Sequence, residues 1–146
     1  MSSFSFLESG LGLTIVVFLP LVSAIFIFLI PKKQEMLIKL VTLGSALLTF
    51  GVSLIVALQF DFNNAGDLQL GTKVSWISSI NSNYEIGIDG ISLPLLLLST
   101  FISVLAIIYS FEHLPEPKNA KGMMSLILIL ETGMNGTFVA LDLILF

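Results

Sequence analysis

The amino-acid sequence contains no cysteine and no arginine, and few of its residues are charged. Without cysteine, the chain can form no disulfide and offers no thiolate ligand to an iron–sulfur cluster or a structural zinc ion. The net charge of −4 comes from scattered carboxylates, which argues against binding to nucleic acid. The sequence also lacks a phosphate-binding glycine loop, a metal-spaced histidine cluster and a nucleophile elbow. We therefore predict no catalytic residue, no metal site and no cofactor in this chain.

Apolar residues dominate the rest of the sequence. Of the 146 residues, 55% are hydrophobic and only 11% are charged, whereas about 25% of the residues of a soluble domain are charged. Apolar runs of about 17–25 residues can cross the hydrocarbon layer of a bilayer. The sequence thus predicts an all-α integral membrane protein whose partner is the lipid bilayer, with four transmembrane helices at about 11–30, 36–58, 91–111 and 122–141.

The segments between the spans are polar. Residues 59–90 are rich in asparagine, glycine and aspartate, which predicts an extramembrane loop. Pro20 lies inside the first span, and membrane helices accept proline there because neighbouring groups can satisfy the carbonyl that it frees. Residues 143–146 form an apolar run too short to span a bilayer. We expect this run to be the start of a fifth helix, cut off in a truncated bundle.

The lysines predict the orientation of the spans. Five of the six flank the two short connections: Lys32, Lys33, Lys39, Lys118 and Lys121. The loop at 59–90 carries only Lys73. Since basic residues favour the cytoplasmic side, the N-terminus and the long loop should lie outside. A secretory signal peptide is the alternative for the first span, but it would need positive charge before the apolar run and a cleavage site after it, and both are missing.

Glu131 is the first candidate functional residue, because it lies in the middle of the fourth span. An ionised carboxylate at that depth costs several kcal/mol unless it is paired, hydrated or protonated, and such residues often mark ion pathways. Asn135 follows one turn later on the same face. We predict both as proton-path residues. The alternative is that Glu131 lies nearer an interface, or only forms a hydrogen bond with a neighbouring helix.

Three more carboxylates lie at predicted helix ends and are weaker candidates: Asp89, Glu112 and Asp142. Asp89 precedes the third span, so it could simply be the N-cap of that helix. The other two could be ordinary solvated carboxylates, and we expect the same of His113 beside Glu112.

Serines recur along one face of the third span at helical spacing: Ser92, Ser99, Ser103 and Ser110. Small residues on one face allow another helix to approach closely in a membrane. We predict that this stripe is a helix-packing face.

Two motifs add to this reading. The first is Ile-Asp-Gly-Ile-Ser-Leu-Pro-Leu at 88–95, and the second combines Glu-Thr-Gly-Met at 131–134 with Phe-Val-Ala-Leu-Asp-Leu at 138–143. Both resemble the antiporter-like, proton-pumping subunit M of NADH:quinone oxidoreductase, respiratory complex I. The resemblance covers essentially the whole chain. It implies that this is the N-terminal part of a longer subunit whose proton channel uses a glutamate and several lysines beyond Phe146.

The resemblance also implies a function, partners and a location. NADH oxidation and quinone reduction would occur in other subunits carrying flavin and iron–sulfur clusters, and this non-redox subunit would conduct protons. Its partners would be other membrane-arm subunits, in the inner (cytoplasmic) membrane of a bacterium or an equivalent energy-transducing membrane, and this chain alone would be inactive. Two alternatives stay open: a subunit of a multisubunit sodium/proton antiporter or membrane-bound hydrogenase, and a non-transporting membrane scaffold.

Overall fold

The computed structural model describes residues 10–77, 82–114, 119–141 and 146. These residues contain four α-helices: α1 (Leu11–Leu29), α2 (Glu35–Gln59), α3 (Ser92–Ser110) and α4 (Ala120–Val139). Each helix is long and apolar enough to cross a membrane. The predicted fold class, a helical membrane protein with four spans, is confirmed, and the helix ends differ from the predicted spans by at most two residues. We predicted the start of a fifth helix at residues 143–146, of which 143–145 lie outside the described residues.

The helices form an antiparallel bundle. Each one packs against its neighbours in sequence, α4 packs against α1, and α2 and α4 also touch across the bundle. Large apolar side chains such as Phe26, Leu48, Ile102 and Leu130 lie on the outer surface. Among the described residues, the buried polar side chains are Thr42, Ser45, Thr49, Ser53, Ser99, Thr100, Ser103, Ser110, Ser125, Glu131 and Asn135. An apolar exterior around a partly polar interior suits a bundle whose solvent is lipid.

The connection between α2 and α3 is more ordered than the predicted loop. It contains a 3-10 turn (Phe62–Asn64) and an antiparallel hairpin of β1 (Gln69–Ile77) and β2 (Ser82–Ile88). The sequence does contain a sign of a strand here, because Tyr84, Ile86 and Ile88 alternate with a period of two residues. The many turn-forming residues around them obscured this pattern. Ile86 and Ile88 are buried with apolar residues from all four helices. The hairpin therefore covers one end of the bundle, which we call the hairpin end.

The segment after α4 also pairs with the hairpin. The Leu141 backbone N–H donates to the Glu85 carbonyl oxygen at 2.9 Å, and Ala140 forms a bridge with Ile86. On the α1 side, the hydroxyl oxygens of Thr14 and Tyr84 lie 3.2 Å apart. Contacts from α1 and from the end of α4 thus fix β2 above the bundle.

Candidate functional site

Glu131 lies in the middle of α4 and is fully buried, with 0% of its surface exposed. Within the described part of the chain, neither of its carboxylate oxygens has a hydrogen-bond partner. It therefore lies inside the bundle, away from the lipid-facing surface. None of the described residues forms the hydrogen bond from a neighbouring helix that we considered as the alternative. A carboxyl group in this position needs hydration, a counter-ion or a proton.

Asn135 lies one turn further along α4 and connects three helices. Its Nδ2 donates to the Val16 carbonyl oxygen of α1 at 3.2 Å, and the Ser99 hydroxyl of α3 donates to its Oδ1 at 3.0 Å. The Val16 carbonyl is available because Pro20, four residues later, has no N–H to donate to it. Asn135 thus satisfies the carbonyl that the proline frees. We call this arrangement the Asn135 clamp.

The predicted serine stripe on α3 lies mostly inside the bundle. Ser99, Ser103 and Ser110 are buried, and Ser92 is partly exposed. The Ser103 hydroxyl donates to the Ser99 carbonyl oxygen at 3.0 Å. Next to the stripe, the hydroxyl oxygens of Thr100 and Ser53 lie 3.1 Å apart, which joins α3 to α2. This face of α3 therefore packs against both α2 and α4.

Two lysines define the other end of the bundle, which we call the lysine end. Lys39 Nζ donates to the Phe111 carbonyl oxygen at 2.6 Å, just after α3. Lys121 Nζ donates to the carbonyl oxygens of Phe28 and Ile30 at 2.8 Å each, where α1 ends. The last carbonyls of a helix lack intrahelical partners, and cations are stabilised there. Lys39 of α2 thus caps the C-terminus of α3, and Lys121 of α4 caps the C-terminus of α1.

The two helix-end carboxylates that the structure describes, Asp89 and Glu112, lie apart from Glu131. Asp89 Oδ1 accepts from the backbone N–H groups of Ser92 at 2.7 Å and Ile91 at 3.0 Å, so it caps α3 at the hairpin end. These hydrogen bonds, chiefly the one from Ser92, lower the pKa of Asp89. Glu112 is exposed at the lysine end, and Asp142 lies outside the described residues. Among the predicted site residues that the structure describes, only Glu131 and Asn135 lie close in the fold, buried one turn apart in α4.

Sequence reasoning missed two buried hydroxyls. The Oγ atoms of Ser45 in α2 and Ser125 in α4 have no partner in the part of the chain that the structure describes. The available signal was the helical spacing of Thr42, Ser45, Thr49 and Ser53, which places small hydroxyl side chains on one face of α2. His113, by contrast, is exposed as expected and stacks on Tyr109.

The residues that the structure describes form no metal site at Glu131. Over residues 10–77, 82–114 and 119–141, no group of three His, Cys, Asp or Glu side chains could hold a metal ion. A cavity of about 240 Å³ lies near the hairpin end between α1, α4 and β2 and is lined by Thr132 and Gly133, but not by Glu131. The chemical group that the site offers is the carboxyl of Glu131, which can accept or release a proton.

Comparison with known proteins identifies the family. Residues 14–134 match the family described as "NADH-ubiquinone oxidoreductase chain 4, amino terminus". The chain is 37% identical over 135 residues to the chloroplast protein "NAD(P)H-quinone oxidoreductase chain 4" of Mesostigma viride. This alignment covers 92% of the present chain and 26% of the Mesostigma protein. It is 33% identical over 134 residues to "NAD(P)H-quinone oxidoreductase chain 4 1" of Nostoc sp., with 92% of this chain and 24% of that protein covered.

These relatives are curated proteins of a chloroplast and a cyanobacterium, and the chain spans about a quarter of the length of each. Together with the four apolar helices, they indicate a multi-pass protein of an energy-transducing membrane. The matched region begins within the first turn of α1 and ends within α4, so it includes all of α2 and α3 and most of the other two helices. The chain belongs to the family of NADH-ubiquinone oxidoreductase chain 4, of which it represents the amino-terminal part.

Proposed function

We propose that the chain is the N-terminal, membrane-embedded part of the proton-translocating subunit M of an NADH:quinone oxidoreductase, respiratory complex I. The observation that carries the proposal is Glu131, a fully buried carboxylate without a protein partner among the described residues, in a chain of this family. Intramembrane carboxylates of this kind are typical of proton relays. The names of the relatives, which are chains of NAD(P)H-quinone oxidoreductases, support the assignment to a complex of this kind.

In this proposal the redox chemistry belongs to partner subunits. They would bind NADH, flavin, iron–sulfur clusters and quinone, while this chain supplies a proton-binding carboxyl and the helices around it. The Asn135 clamp would fix α4 against α1 and α3, so that Glu131 keeps its depth in the membrane. A relay across about 30 Å of hydrocarbon needs several ionisable or hydrated stations. Since Glu131 is the one buried carboxylate among the described residues, we expect no proton flux from this segment alone.

The proposed location is the inner (cytoplasmic) membrane of a bacterium, or an equivalent membrane, with the N-terminus and the hairpin end outside. Lys39 and Lys121, which both lie at the lysine end, support this orientation. Since the chain has no native cysteine, Asn64→Cys and Asn119→Cys can report it through membrane-impermeant labelling of intact cells. Both side chains are exposed. The proposal predicts labelling of Asn64→Cys only, and labelling of Asn119→Cys alone would reverse the orientation.

Affinity purification tests the assignment to complex I. The complete protein that carries this chain, tagged and extracted in mild detergent, should retain flavoprotein and iron–sulfur subunits that oxidise NADH with quinone as acceptor. A tagged membrane protein of unrelated function serves as the control. Recovery of hydrogenase subunits, or of a sodium/proton antiporter without redox subunits, would assign the chain to one of those complexes. Recovery of the protein alone would favour a scaffold.

A further inference from the structure

We propose that the turn after α2 is a membrane anchor that lies in the lipid interface at the hairpin end. Phe62 inserts among the upper acyl chains of zwitterionic phospholipids, and Asp61 and Asp67 face the ammonium groups of the headgroups. We call residues 60–67, which include the 3-10 turn, the anchor turn. The proposal concerns the contact of this segment with lipid, so it depends neither on the proposed function nor on the orientation of the bundle.

Three large apolar side chains at the hairpin end are more exposed than the lipid-facing side chains in the middle of the helices. The exposed fraction is 85% for Leu58, 70% for Phe62 and 74% for Ile91. Leu48 and Ile102, halfway along α2 and α3, are 63% and 49% exposed. Apolar surface of this kind is unfavourable in water. Since Leu58 lies at the end of α2 and Ile91 at the start of α3, the lipid-facing surface of these helices continues to the anchor turn.

The helix lengths place these residues at the boundary of the hydrocarbon layer. At the lysine end, Lys39 Nζ donates to the Phe111 carbonyl oxygen, so the two residues mark one level. Lysines near the ends of membrane helices place their charged groups at the interface. With a rise of 1.5 Å per residue, Leu58 lies about 28 Å from Lys39 along α2, and Ile91 lies about 30 Å from Phe111 along α3. The hydrocarbon layer is about 30 Å thick, so Leu58 and Ile91 lie at its opposite boundary.

Two contacts hold Phe62 close to this level. Its ring centroid lies 5.2 Å from that of Phe60, in an edge-to-face arrangement. Phe60 is buried in the apolar cluster at the hairpin end of the bundle. The backbone N–H of Gly90, directly before Ile91, donates to the Ala65 carbonyl oxygen at 2.8 Å. The anchor turn is thus tied to the ends of α2 and α3, with Phe62 beside the last buried layer of the bundle.

The anchor turn satisfies its own polar groups. Asp61 accepts from the Asn63 backbone N–H at 2.9 Å through Oδ1 and from Asn64 Nδ2 at 3.0 Å through Oδ2. Gln69 Nε2 donates to the carbonyl oxygens of Asp61 and Asn64 at 2.9 Å each, and Gln69 Oε1 accepts from the Asp61 N–H at 2.8 Å. Backbone groups without partners are costly where water is scarce. A turn with these internal hydrogen bonds can therefore lie in the interface.

The charges at the hairpin end favour one class of headgroup. Lys73 Nζ lies 2.9 Å from Glu85 Oε2, so the charges of this pair compensate each other. The other charged side chains that the structure describes at this end are the carboxylates of Asp61, Asp67 and Asp89. Carboxylates repel anionic headgroups and attract ammonium groups. Phosphatidylethanolamine, which carries an ammonium group and no net charge, therefore fits this surface better than phosphatidylglycerol does.

Photo-crosslinking tests the anchor turn in the complete protein and its complex, reconstituted in nanodiscs with equal amounts of phosphatidylethanolamine and phosphatidylglycerol. The photoreactive residue p-benzoylphenylalanine is introduced at Phe62, Phe60 or Phe101, one position at a time. Phe101, exposed in the middle of α3, is the control for lipid contact, and the buried Phe60 is the control for protein contact. Ile91 provides a second probe if the protein with the probe at Phe62 fails to fold. The adducts are identified by mass spectrometry.

We expect lipid adducts from Phe62, Ile91 and Phe101, and only protein adducts from Phe60. Adducts at Phe62 should contain phosphatidylethanolamine about twofold more often than adducts at Phe101, a factor typical of exposed charge pairs. Asp61→Asn combined with Asp67→Asn should remove this preference.

Crosslinks from Phe62 and Ile91 to another subunit, or the absence of lipid adducts at both positions, would overturn the anchor. The same lipid ratio at Phe62 as at Phe101, or an excess of phosphatidylglycerol, would overturn the assignment of the headgroup. The measurement requires neither NADH oxidation nor proton transport. Its failure would therefore leave the proposed function standing, and failure of the proposed function would leave the anchor standing.

Discussion

The Asn135 clamp makes a quantitative prediction about Pro20. Because proline has no N–H, the Val16 carbonyl depends on Asn135 Nδ2, 3.2 Å away, for its hydrogen bond. Asn135→Leu removes this donor and also the acceptor of the Ser99 hydroxyl. Pro20→Ala restores a backbone N–H that can bond to the Val16 carbonyl within α1. The alanine should therefore reduce the damage caused by Asn135→Leu.

The expected magnitude follows from the two hydrogen bonds. A buried group left without its partner costs about 1–3 kcal/mol in proteins generally, and polar contacts inside membrane proteins average about 0.6 kcal/mol. Asn135→Leu, which leaves two such groups, should thus lower the free energy of unfolding by about 2 kcal/mol. Pro20→Ala repairs only the bond to Val16. We expect a coupling free energy between positions 20 and 135 of about 1 kcal/mol, with the double variant more stable than the sum of the single changes.

In the assay, the purified protein is unfolded in mixed micelles by raising the fraction of SDS, and the loss of helix is followed by circular dichroism. The wild type, both single variants and the double variant are compared. Ser99→Ala provides the matched control, because it removes the other hydrogen bond of the clamp, and Pro20→Ala should not rescue it. Additive effects of Pro20→Ala and Asn135→Leu, within about 0.3–0.5 kcal/mol, would refute the reasoning. Asn135 would then not replace the hydrogen bond that Pro20 eliminates.

Three further predictions concern packing and the helix ends. Ser103 is buried, so Ser103→Leu should lower the free energy of unfolding by about 1–3 kcal/mol through overpacking. Thr137→Leu, on the exposed face of α4, should leave the free energy of unfolding unchanged. Equal effects of the two substitutions in the micelle assay would contradict this prediction. Lys39→Met should cost about 0.3–1 kcal/mol because it removes the cap of α3, while the exposed Lys33→Met should cost nothing measurable. Asp89→Ala should cost about 0.5–2 kcal/mol through loss of the N-cap. The pKa of Asp89 is lowered from its ordinary 3.8, so the stabilisation by this cap should be complete at pH values above 3.8 and should be lost as the pH falls through the folded-state pKa. If wild type and Asp89→Ala differed in stability by the same amount down to pH about 2, this prediction would be contradicted.

The helices could be predicted from the sequence because their signal is local. Apolar runs of sufficient length are bounded by lysines and by turn-forming residues, and only a helix satisfies the backbone of such runs in lipid. From Pro20 one could also predict that a backbone carbonyl of α1 loses its helical hydrogen bond and is satisfied by a neighbouring group. Its partner, Asn135, could not be identified, because the pairing depends on how α1 and α4 approach each other in space. The proposed function came from the resemblance to a family, because composition alone does not indicate it.

The remaining features depended on tertiary structure. The hairpin was hidden because its alternating residues, Tyr84, Ile86 and Ile88, lie within a run of turn-forming residues, and burial against the helix ends decides their conformation. The buried face of α3 is also wider than the serine stripe, since Val104 is only 6% exposed and lies in the apolar core. Residues next to the stripe therefore do not all face outward, and for this reason the control for Ser103→Leu lies on the exposed face of α4, at Thr137.

Glu131 is the residue on which the proposed function depends, and its role can be measured directly. The complete oxidoreductase carrying Glu131→Gln should be reconstituted in sealed vesicles, and the protons translocated for each NADH oxidised should be compared with those of the wild type. Glu112→Gln, at an exposed carboxylate, is the matched control. We predict that Glu131→Gln translocates fewer protons per NADH while it retains NADH oxidation in uncoupled vesicles, and that Glu112→Gln matches the wild type. An unchanged ratio in Glu131→Gln would contradict the assignment of Glu131 to the proton path.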